Sequence, residues 1–200
     1  MDILVIGGTG TIGKVVVDHF KKKHRVLVAG RSSGDFLVDI ADSKSIEALF
    51  DKIDNIDAIV NIAGEAKWDW FDNLKEEDYY IGLKSKLMGQ VNVTRIGSKK
   101  LRPNGSITLS TGILADHPVR MTASAAMVNG GIHSFVKAVA LELDRGLRIN
   151  VVSSGLVEDA VEKYQDYFPG HNAIPMKKMV NGYVKSVEGA ETGKIIRIYD

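Results

Sequence analysis

The stretch Asp2-Ile-Leu-Val-Ile6, continued by Gly7-Gly-Thr-Gly-Thr-Ile-Gly13, decides the fold of this chain. Its first five residues are mostly aliphatic and predict a strand that is buried on both faces of a sheet. The glycines stand where that strand must turn sharply into a helix, which we expect over about residues 11–23. A strand, a glycine-rich turn and a helix in this order predict the first unit of a parallel α/β fold.

Gly8, Gly10 and Gly13 have the spacing G-x-G-x-x-G. In this motif one glycine permits the tight turn, one lets backbone N–H groups approach a pyrophosphate, and one lets the helix pack on the strand. The positive end of the helix dipole points to the same place. The motif therefore predicts a dinucleotide site, although a tight turn could need its glycines for geometry alone.

The composition limits the classes of function. The chain has 200 residues, which suits a single domain over residues 1–200. Its 26 Lys and Arg residues nearly balance 25 Asp and Glu, so nothing indicates a nucleic acid or an anionic membrane as a partner. There is no cysteine and no His or carboxylate spacing typical of a metal site, so we expect no disulfide and no metal. The chain has neither an apolar run of membrane-spanning length nor a charged leader, which predicts a soluble cytoplasmic protein.

Strands and helices alternate along the rest of the chain. We expect further strands near residues 25–29, 36–39, 56–62, 106–110, 147–153 and 194–199. We expect helices over 43–53, with Ser43 as the cap, and over 76–100 and 122–145, and a less regular helical segment over 158–187. This alternation predicts a Rossmann-like, doubly wound parallel sheet of about seven strands in a three-layer αβα arrangement.

The end of the second strand bears on the choice of dinucleotide. In such folds the residue that closes this strand meets the adenosine ribose, and a carboxylate there accepts a hydrogen bond from the 2′-OH of NAD. This chain has Gly30-Arg31-Ser32 at that position, which offers a guanidinium and a hydroxyl to a 2′-phosphate. The sequence therefore favours NADP(H) over NAD(H), the alternative being a solvated arginine in a surface loop.

Taken together, several short segments resemble the short-chain dehydrogenase/reductase family along nearly the whole chain. They are the stretch 7–13, Gly30-Arg-Ser32, Asp39-Ile40, Asn61-Ile-Ala-Gly64, Gly105-Ser-Ile107, Ala140-Leu-Glu-Leu143 and Arg148-Ile-Asn-Val-Val-Ser-Ser-Gly155. The glycines at 7, 10 and 13 resemble the extended and atypical branches of the family. The motif and the resemblance together predict these cofactor-binding residues: Gly7, Gly8, Thr9, Gly10, Thr11, Ile12, Gly13, Arg31, Ser32, Asp39, Ile40, Ala63, Gly64, Gly155 and Leu156. Among them, Asp39 and Ile40 are expected to contact adenine, and the loop at 154–156 to lie near the nicotinamide.

The catalytic positions depart from the family pattern. The family usually uses a tyrosine acid, a lysine four residues later that lowers the pKa of the tyrosine, a serine and an asparagine. Counting along the matching segments places Ala125 at the tyrosine position and Asn129 at the lysine position. The serine position falls on Gly112, directly after Thr111, and the asparagine position falls on Lys86.

We take Lys86 and Thr111 as the candidate catalytic residues. Lys86 could orient a carbonyl group, and Thr111 could supply a hydroxyl. Ser124 and His117 are further candidates, and His133 and His171 are weaker ones. For every one of these residues a purely structural role is the alternative. Tyr80 and Lys84 also have the Tyr-x-x-x-Lys spacing, but they lie more than forty residues too early for the motif, which predicts a surface or packing feature.

Two functions remain open from the sequence. The first is an NADP(H)-dependent oxidoreductase for a small carbonyl or alcohol, with atypical catalytic residues. The second is a catalytically inactive NAD(P)-binding sensor or interaction module. The substrate cannot be read from the sequence, because it would depend on the least patterned segments, 68–73 and 158–178. A homo-oligomer is expected through the two long helices, although the apolar stripe between Ile132 and Leu143 could equally face the sheet.

Overall fold

The computed structural model describes residues 1–199. Within that range the chain forms one parallel sheet of seven strands in the order β3-β2-β1-β4-β5-β6-β7. The strands are β1 (Asp2–Ile6), β2 (Arg25–Gly30), β3 (Phe36–Leu37), β4 (Ile56–Asn61), β5 (Leu101–Gly112), β6 (Arg148–Ser154) and β7 (Ile195–Ile198). The helices are α1 (Thr11–Phe20), α2 (Ser43–Phe50), α3 (Glu76–Gly82), α4 (Gly89–Gly97), α5 (Ala123–Val139), α6 (Val161–Tyr164) and α7 (Met176–Glu188). The predicted doubly wound fold is confirmed.

The central strands are buried on both faces, and an apolar layer of helices covers each face of the sheet. Side chains of β1 alternate between them: Leu4 and Ile6 face the layer that includes α2, α4 and α5, whereas Ile3 and Val5 face α1 and α7. The strand order reverses between β1 and β4, which lie side by side although two other strands separate them in the sequence. In open α/β sheets a crevice forms at such a reversal, at the carboxyl ends of the strands.

The structure corrects the predicted bounds of several elements. Asp42, not Ser43, caps α2, and its side chain accepts a hydrogen bond from the backbone N–H of Lys44. The helix expected over 122–145 ends at Val139 and is followed by turns. Strand β5 extends beyond 106–110 at both ends because β4 and β6 pair with it. None of these differences changes the topology.

The helix expected over 76–100 contains an irregularity that its apolar spacing did not reveal. It runs as α3, a π-helical segment over Leu83–Met88, α4 and a final 3₁₀ turn over Ser98–Lys100. A π segment inserts extra residues into a helical turn, so it changes the direction of the side chains around it, and such segments are frequent at functional sites.

The described residues contain no helix that is both long and apolar enough to cross a bilayer.

Candidate cofactor and substrate site

A groove of about 660 Å³ lies at the carboxyl ends of β1, β2 and β4. Twelve of the fifteen predicted cofactor-binding residues line it: Gly7, Thr9, Gly10, Thr11, Ile12, Gly13, Arg31, Ser32, Asp39, Ile40, Ala63 and Gly64. The other three, Gly8, Gly155 and Leu156, lie elsewhere. The groove therefore joins residues from four separate segments of the sequence.

The glycines of the first turn do not all have the roles that the motif assigns to Gly8, Gly10 and Gly13. Gly7, which has φ +83°, makes the turn, and a Cβ there would lie 2.7 Å from the backbone nitrogen of Ala63. A Cβ on Gly13 would lie 2.1 Å from the Gly7 carbonyl oxygen, so the helix can approach the strand only with glycine at that position. Gly8 packs below the groove, where a Cβ would contact Val17 and Val28.

The N-terminus of α1 opens into this groove without a side-chain cap. Its N-cap residue is Gly10, and the first turn carries no acidic residue. Among residues 1–199, the first helical N–H group with a backbone partner is that of Lys14, which donates to the Gly10 carbonyl at 2.9 Å. The unpaired N–H groups before it, with the positive end of the helix dipole, fit a pyrophosphate.

The ribose end of the groove carries the charged residues. The Arg31 guanidinium lies 3.3 Å from the Glu65 carboxylate, and both side chains are mostly exposed, at 70% and 58%. Asp39 is fixed by its own turn, since its carboxylate accepts from the N–H of Ala41 and its N–H donates to Ser45. Arg31 is therefore held only by an exposed partner that it can exchange for a phosphate.

A second cavity, of about 250 Å³, adjoins the groove along Ile12, Ile62 and Gly64. The structure brings both candidate catalytic residues, Lys86 and Thr111, to its wall. The other positions counted from the family pattern also line it: Gly112, Ala125 and Asn129. Three elements far apart in the sequence, the π segment, the end of β5 and the first half of α5, thus meet at one place.

Lys86 reaches this cavity from the π segment. The methylene groups of its side chain pack against Gly64, which has φ +129°. A Cβ on that glycine would lie 2.8 Å from Lys86 Cδ. Within residues 1–199 the Lys86 ammonium has neither a hydrogen bond nor an ion pair. Burial lowers the pKa of Lys86 to about 8. The side chain is therefore a free cation near neutral pH and can also lose its proton in mildly basic solution.

Two buried polar atoms near this cavity have no partner among the described residues. Asn129 is only 5% exposed, and its Oδ1 accepts no hydrogen bond. The Oγ of Ser124 is also unpaired, but Ser124 is fully buried and does not line the cavity. A buried acceptor without a donor costs free energy, so the Asn129 side chain fits a ligand that supplies a donor.

Tyr183, on α7, is a tyrosine of this cavity that sequence reasoning missed. Its hydroxyl lies 2.9 Å from the Ser110 hydroxyl, and burial raises the pKa of Tyr183 to about 12. This direction is opposite to the one a tyrosine acid needs. The residue was missed because it follows the predicted catalytic segments by more than fifty positions.

The weaker histidine candidates fall in different places. His133 is buried, and its Nε2 lies 2.8 Å from the Thr111 hydroxyl. His117 is exposed and stacks edge-on against Tyr199, beside a separate cavity that His171 also lines. The structure thus connects His133 with the predicted site and separates His117 and His171 from it.

An apolar cavity of about 200 Å³ continues from the Lys86 cavity. Gly155 and Leu156 line it, together with a cluster of aromatic side chains that we call the aromatic wall, Trp68, Tyr164 and Phe168. The Trp68 ring lies 5.4 Å from Tyr164 and 6.5 Å from Phe168, measured between centroids. Trp68 therefore shapes a cavity.

Tyr80 and Lys84 form the predicted surface feature. The Tyr80 hydroxyl donates to Glu76 at 2.6 Å, and the Lys84 ammonium lies 6.0 Å from the ring centroid of Tyr80. Both residues are exposed. Within residues 1–199 no group of three or more His, Asp or Glu side chains could hold a metal ion.

The comparison with known proteins agrees with this geometry. A profile of the family described as Enoyl-(Acyl carrier protein) reductase matches residues 14–191. The chain belongs to the short-chain dehydrogenase/reductase family. Its curated relatives include the 3-oxoacyl-(acyl-carrier-protein) reductase FabG of Haemophilus influenzae, which is 25% identical over 182 residues, 77% of this chain and 73% of the relative.

Two solved structures of related proteins match the chain over its whole length. The protein lin1944 from Listeria innocua is 40% identical, with a TM-score of 0.98 and full coverage of both chains. A small-chain dehydrogenase solved in complex with NADPH is 26% identical, with a TM-score of 0.88, and 96% of its chain is covered.

Proposed function

We propose that this short-chain dehydrogenase/reductase is an NADP(H)-dependent oxidoreductase that acts on a small carbonyl or alcohol through residues other than the usual tyrosine and lysine. One observation carries the proposal: the groove with unpaired helix N–H groups leads directly into the cavity that holds Lys86 and Thr111. A nicotinamide coenzyme, when bound, supplies the hydride chemistry.

The groove supplies a contact for each part of such a coenzyme. The N–H groups of residues 11–13 bind the pyrophosphate, and Arg31 and Ser32 bind the 2′-phosphate. Asp39 and Ile40 contact the adenine, and Ala63 and Gly64 line the path to the nicotinamide end, which lies near Gly155 and Leu156. Asn129 offers its unpaired oxygen to a donor at that end. The solved NADPH complex of a relative supports this choice of coenzyme.

Lys86 and Thr111 act on the carbonyl group of the substrate. With a pKa of about 8 the Lys86 ammonium is mostly protonated at neutral pH, so it stabilises negative charge that develops on the carbonyl oxygen. Thr111 donates a hydrogen bond to the same oxygen from the end of β5. Positioning of the two reactants contributes further, and in favourable cases it alone lowers a barrier by about 7 kcal/mol or more.

The adjoining apolar cavity selects the body of the substrate. Its volume of about 200 Å³ and its aromatic wall suit a small apolar or aromatic group and disfavour a charged one. The name of the Haemophilus influenzae relative, 3-oxoacyl-(acyl-carrier-protein) reductase, supports a carbonyl group as the reacting part.

A cofactor titration followed by a turnover assay tests the proposal. We expect saturable binding of NADPH at micromolar concentration and NADPH oxidation with members of a panel of aldehydes, ketones and quinones. Lys86→Ala should lower kcat about 100-fold and leave NADPH affinity within about threefold, whereas Lys86→Arg, which keeps the charge, should retain more activity. Absence of any binding would disprove the proposal.

A second function, an NAD(P)-binding sensor without turnover, is favoured by the alanine and asparagine at positions 125 and 129. Saturable NADPH binding without oxidation of any compound of the panel would support it. The Arg31 and glycine contacts would then serve binding alone.

We also propose that the protein is a homo-oligomer. Within the stripe from Ile132 to Leu143, Ile132 and Val136 are fully buried against the sheet, so these two residues do not supply the interface. Met88 and Met127, on neighbouring helical segments, are instead 46% and 45% exposed. We expect Met88→Glu with Met127→Glu to lower the mass found by light scattering, while Leu37→Glu, at an exposed site on β3, leaves it unchanged. A wild-type protein of monomer mass would contradict this proposal.

A further inference from the structure

We infer that Thr111 and His133 form a proton relay that takes the place of the missing tyrosine acid. The inference rests on the proposed function, because it needs a carbonyl group in the Lys86 cavity. Neither the family resemblance nor the sequence spacing indicates this pair, since His133 follows Thr111 by 22 positions and lies in the middle of a helix.

The geometry gives Thr111 an intermediate position. Thr111 lines the Lys86 cavity, and its Oγ1 lies 2.8 Å from Nε2 of His133. His133 is only 6% exposed and does not line the cavity. The threonine hydroxyl therefore stands between the cavity and the imidazole.

The charges around His133 suit reversible protonation. Burial lowers the pKa of His133, and Arg197 and Lys137 act in the same direction, whereas Asp116 opposes them. Asp116 is itself fixed by Arg197, at 2.9 and 3.0 Å. The pKa of the imidazole therefore lies below its ordinary range, so the neutral form prevails at neutral pH and the charged form becomes more abundant as the pH falls.

The proton and electron balance of the reduction is complete with this pair. A bound NADPH would supply the hydride that the carbonyl carbon gains and would be left as NADP⁺. The C=O π bond breaks as the oxygen takes the Thr111 hydroxyl proton. Thr111 then takes a proton from Nε2 of protonated His133, which is left neutral and is reprotonated from solvent between turnovers. In the oxidation of an alcohol the same transfers run in reverse.

The other polar groups of the cavity are less suited to this transfer. Tyr183 holds its proton tightly, since burial raises its pKa to about 12, and its hydroxyl is paired with Ser110. Lys86 is a cation without a partner among the described residues and serves to stabilise the oxyanion. Thr111 is the cavity hydroxyl that is hydrogen-bonded to an imidazole, a group that can exchange a proton with it.

Two carbonyl probes distinguish the relay from a structural role. Reduction of benzaldehyde produces an alkoxide, a strong base that needs a proton, whereas reduction of 9,10-phenanthrenequinone produces a weakly basic hydroquinone anion. We expect His133→Gln, which keeps a donor to Thr111 but cannot titrate, to lower kcat for benzaldehyde about 100-fold and for the quinone less than about threefold. His24→Gln, at a distant histidine paired with Glu188, is the matched control.

The pH profile and the threonine variants provide two further measurements, which a variant that was merely misfolded would not reproduce. Wild-type kcat for benzaldehyde should fall as the pH rises through the pKa of His133, and His133→Gln should flatten this fall. Thr111→Val should lose benzaldehyde reduction, and Thr111→Ser should restore it. In NMR titrations of the NADP⁺ complex, Thr111→Val should also shift the pKa of the His133 ring.

The outcomes separate the relay from the proposed function. If the wild-type protein reduces neither probe and no other carbonyl of the panel, the oxidoreductase assignment fails and the relay fails with it. If it reduces benzaldehyde and His133→Gln keeps both the rate and the pH profile, the relay is wrong and the oxidoreductase assignment stands. A wild-type protein that reduces only the quinone, or losses that are equal for both probes, also overturn the relay.

Discussion

Arg31 shows how a single exposed residue can set coenzyme preference. Its partner Glu65 lies 3.3 Å away in an exposed pair, and such pairs contribute only about 0–1 kcal/mol. A doubly charged 2′-phosphate forms stronger, charge-assisted hydrogen bonds with a guanidinium. The NADP(H) preference, still a prediction from the sequence, thus depends on an exchange of partners at one side chain.

We expect Arg31→Gln to weaken NADPH binding about 10- to 100-fold, because a charged hydrogen bond is worth roughly 1.5–3 kcal/mol. NADH affinity should change less than about threefold, since NADH has no phosphate at this position. Isothermal titration calorimetry with both coenzymes measures the ratio. Arg25→Gln, at another exposed arginine, is the control, and equal losses for both coenzymes would refute the assignment of Arg31.

At two glycines, substitution by alanine should change the free energy of unfolding in opposite directions. A Cβ on Gly13 would lie 2.1 Å from a backbone oxygen, whereas a Cβ on Gly130, inside α5, meets nothing within 4 Å. We expect Gly13→Ala to lower the free energy of unfolding by about 2–3 kcal/mol and to abolish NADPH binding. Gly130→Ala should raise it by about 0.5–1 kcal/mol, because alanine is the better helix former. Chemical denaturation of both variants measures these changes, and a stable Gly13→Ala variant would contradict the role of close packing here.

At the scale of elements, one side chain joins α4, the helix that follows the π segment, to the central sheet. Gln90 is fully buried at the start of α4. Its Nε2 donates to the Ser110 carbonyl at 3.0 Å, and its Oε1 accepts from the Ser110 N–H at 2.9 Å. This pair of bonds sets the π segment, and with it Lys86, against Thr111, the residue that follows Ser110.

We expect Gln90→Leu to lower the free energy of unfolding by about 1–3 kcal/mol, because two buried backbone groups of Ser110 lose their partners. Urea denaturation measures the change. Gln165→Leu, at an exposed glutamine, should stay within about 0.5 kcal/mol. If Gln90→Leu proved as stable as the wild type, the two bonds would not be what holds this helix to the sheet.

At the scale of the whole molecule, an ion pair connects the turn after β5 with the edge strand β7. Arg197 donates to both carboxylate oxygens of Asp116, and Tyr199 also donates to Asp116. The Arg197 guanidinium and the Tyr199 hydroxyl lower the pKa of Asp116 to about 2, against 3.8 for a free side chain. The pair therefore ties the cavity wall near His133 to the sheet edge.

This pKa shift predicts a specific loss of stability in acid. The folded-state pKa is lower than the unfolded one, so the contribution is complete above pH 4 and is lost as the pH falls toward 2. We expect it to be at most about 2 kcal/mol, because part of the carboxylate faces solvent. Unfolding of Asp116→Asn, followed from pH 5 to pH 2, should show a flatter decline than the wild type or Asp159→Asn. Identical slopes would exclude the ion pair as a source of acid sensitivity.

The sequence by itself determined the fold class and the place of the groove. Alternating strands and helices and the glycine-rich turn are local patterns, and each reports the backbone near it, so the parallel sheet and the glycine-rich wall of the groove followed from reading segments one at a time. The family resemblance instead implied Asp39, Ile40, Ala63 and Gly64. The role of Gly8 was not readable, because whether a glycine faces a groove or a core depends on neighbours such as Val28, which are distant in the sequence.

The tertiary structure alone decided what surrounds the reacting group. The π segment that directs Lys86, the two bonds of Gln90, Tyr183 in the cavity and the contact between Thr111 and His133 all join residues from different elements. No spacing rule predicts such contacts, since they depend on how the helices pack against the sheet. Nothing in the sequence around His133 or Thr111 indicates that their side chains lie 2.8 Å apart, because only the packing of α5 against β5 brings them together.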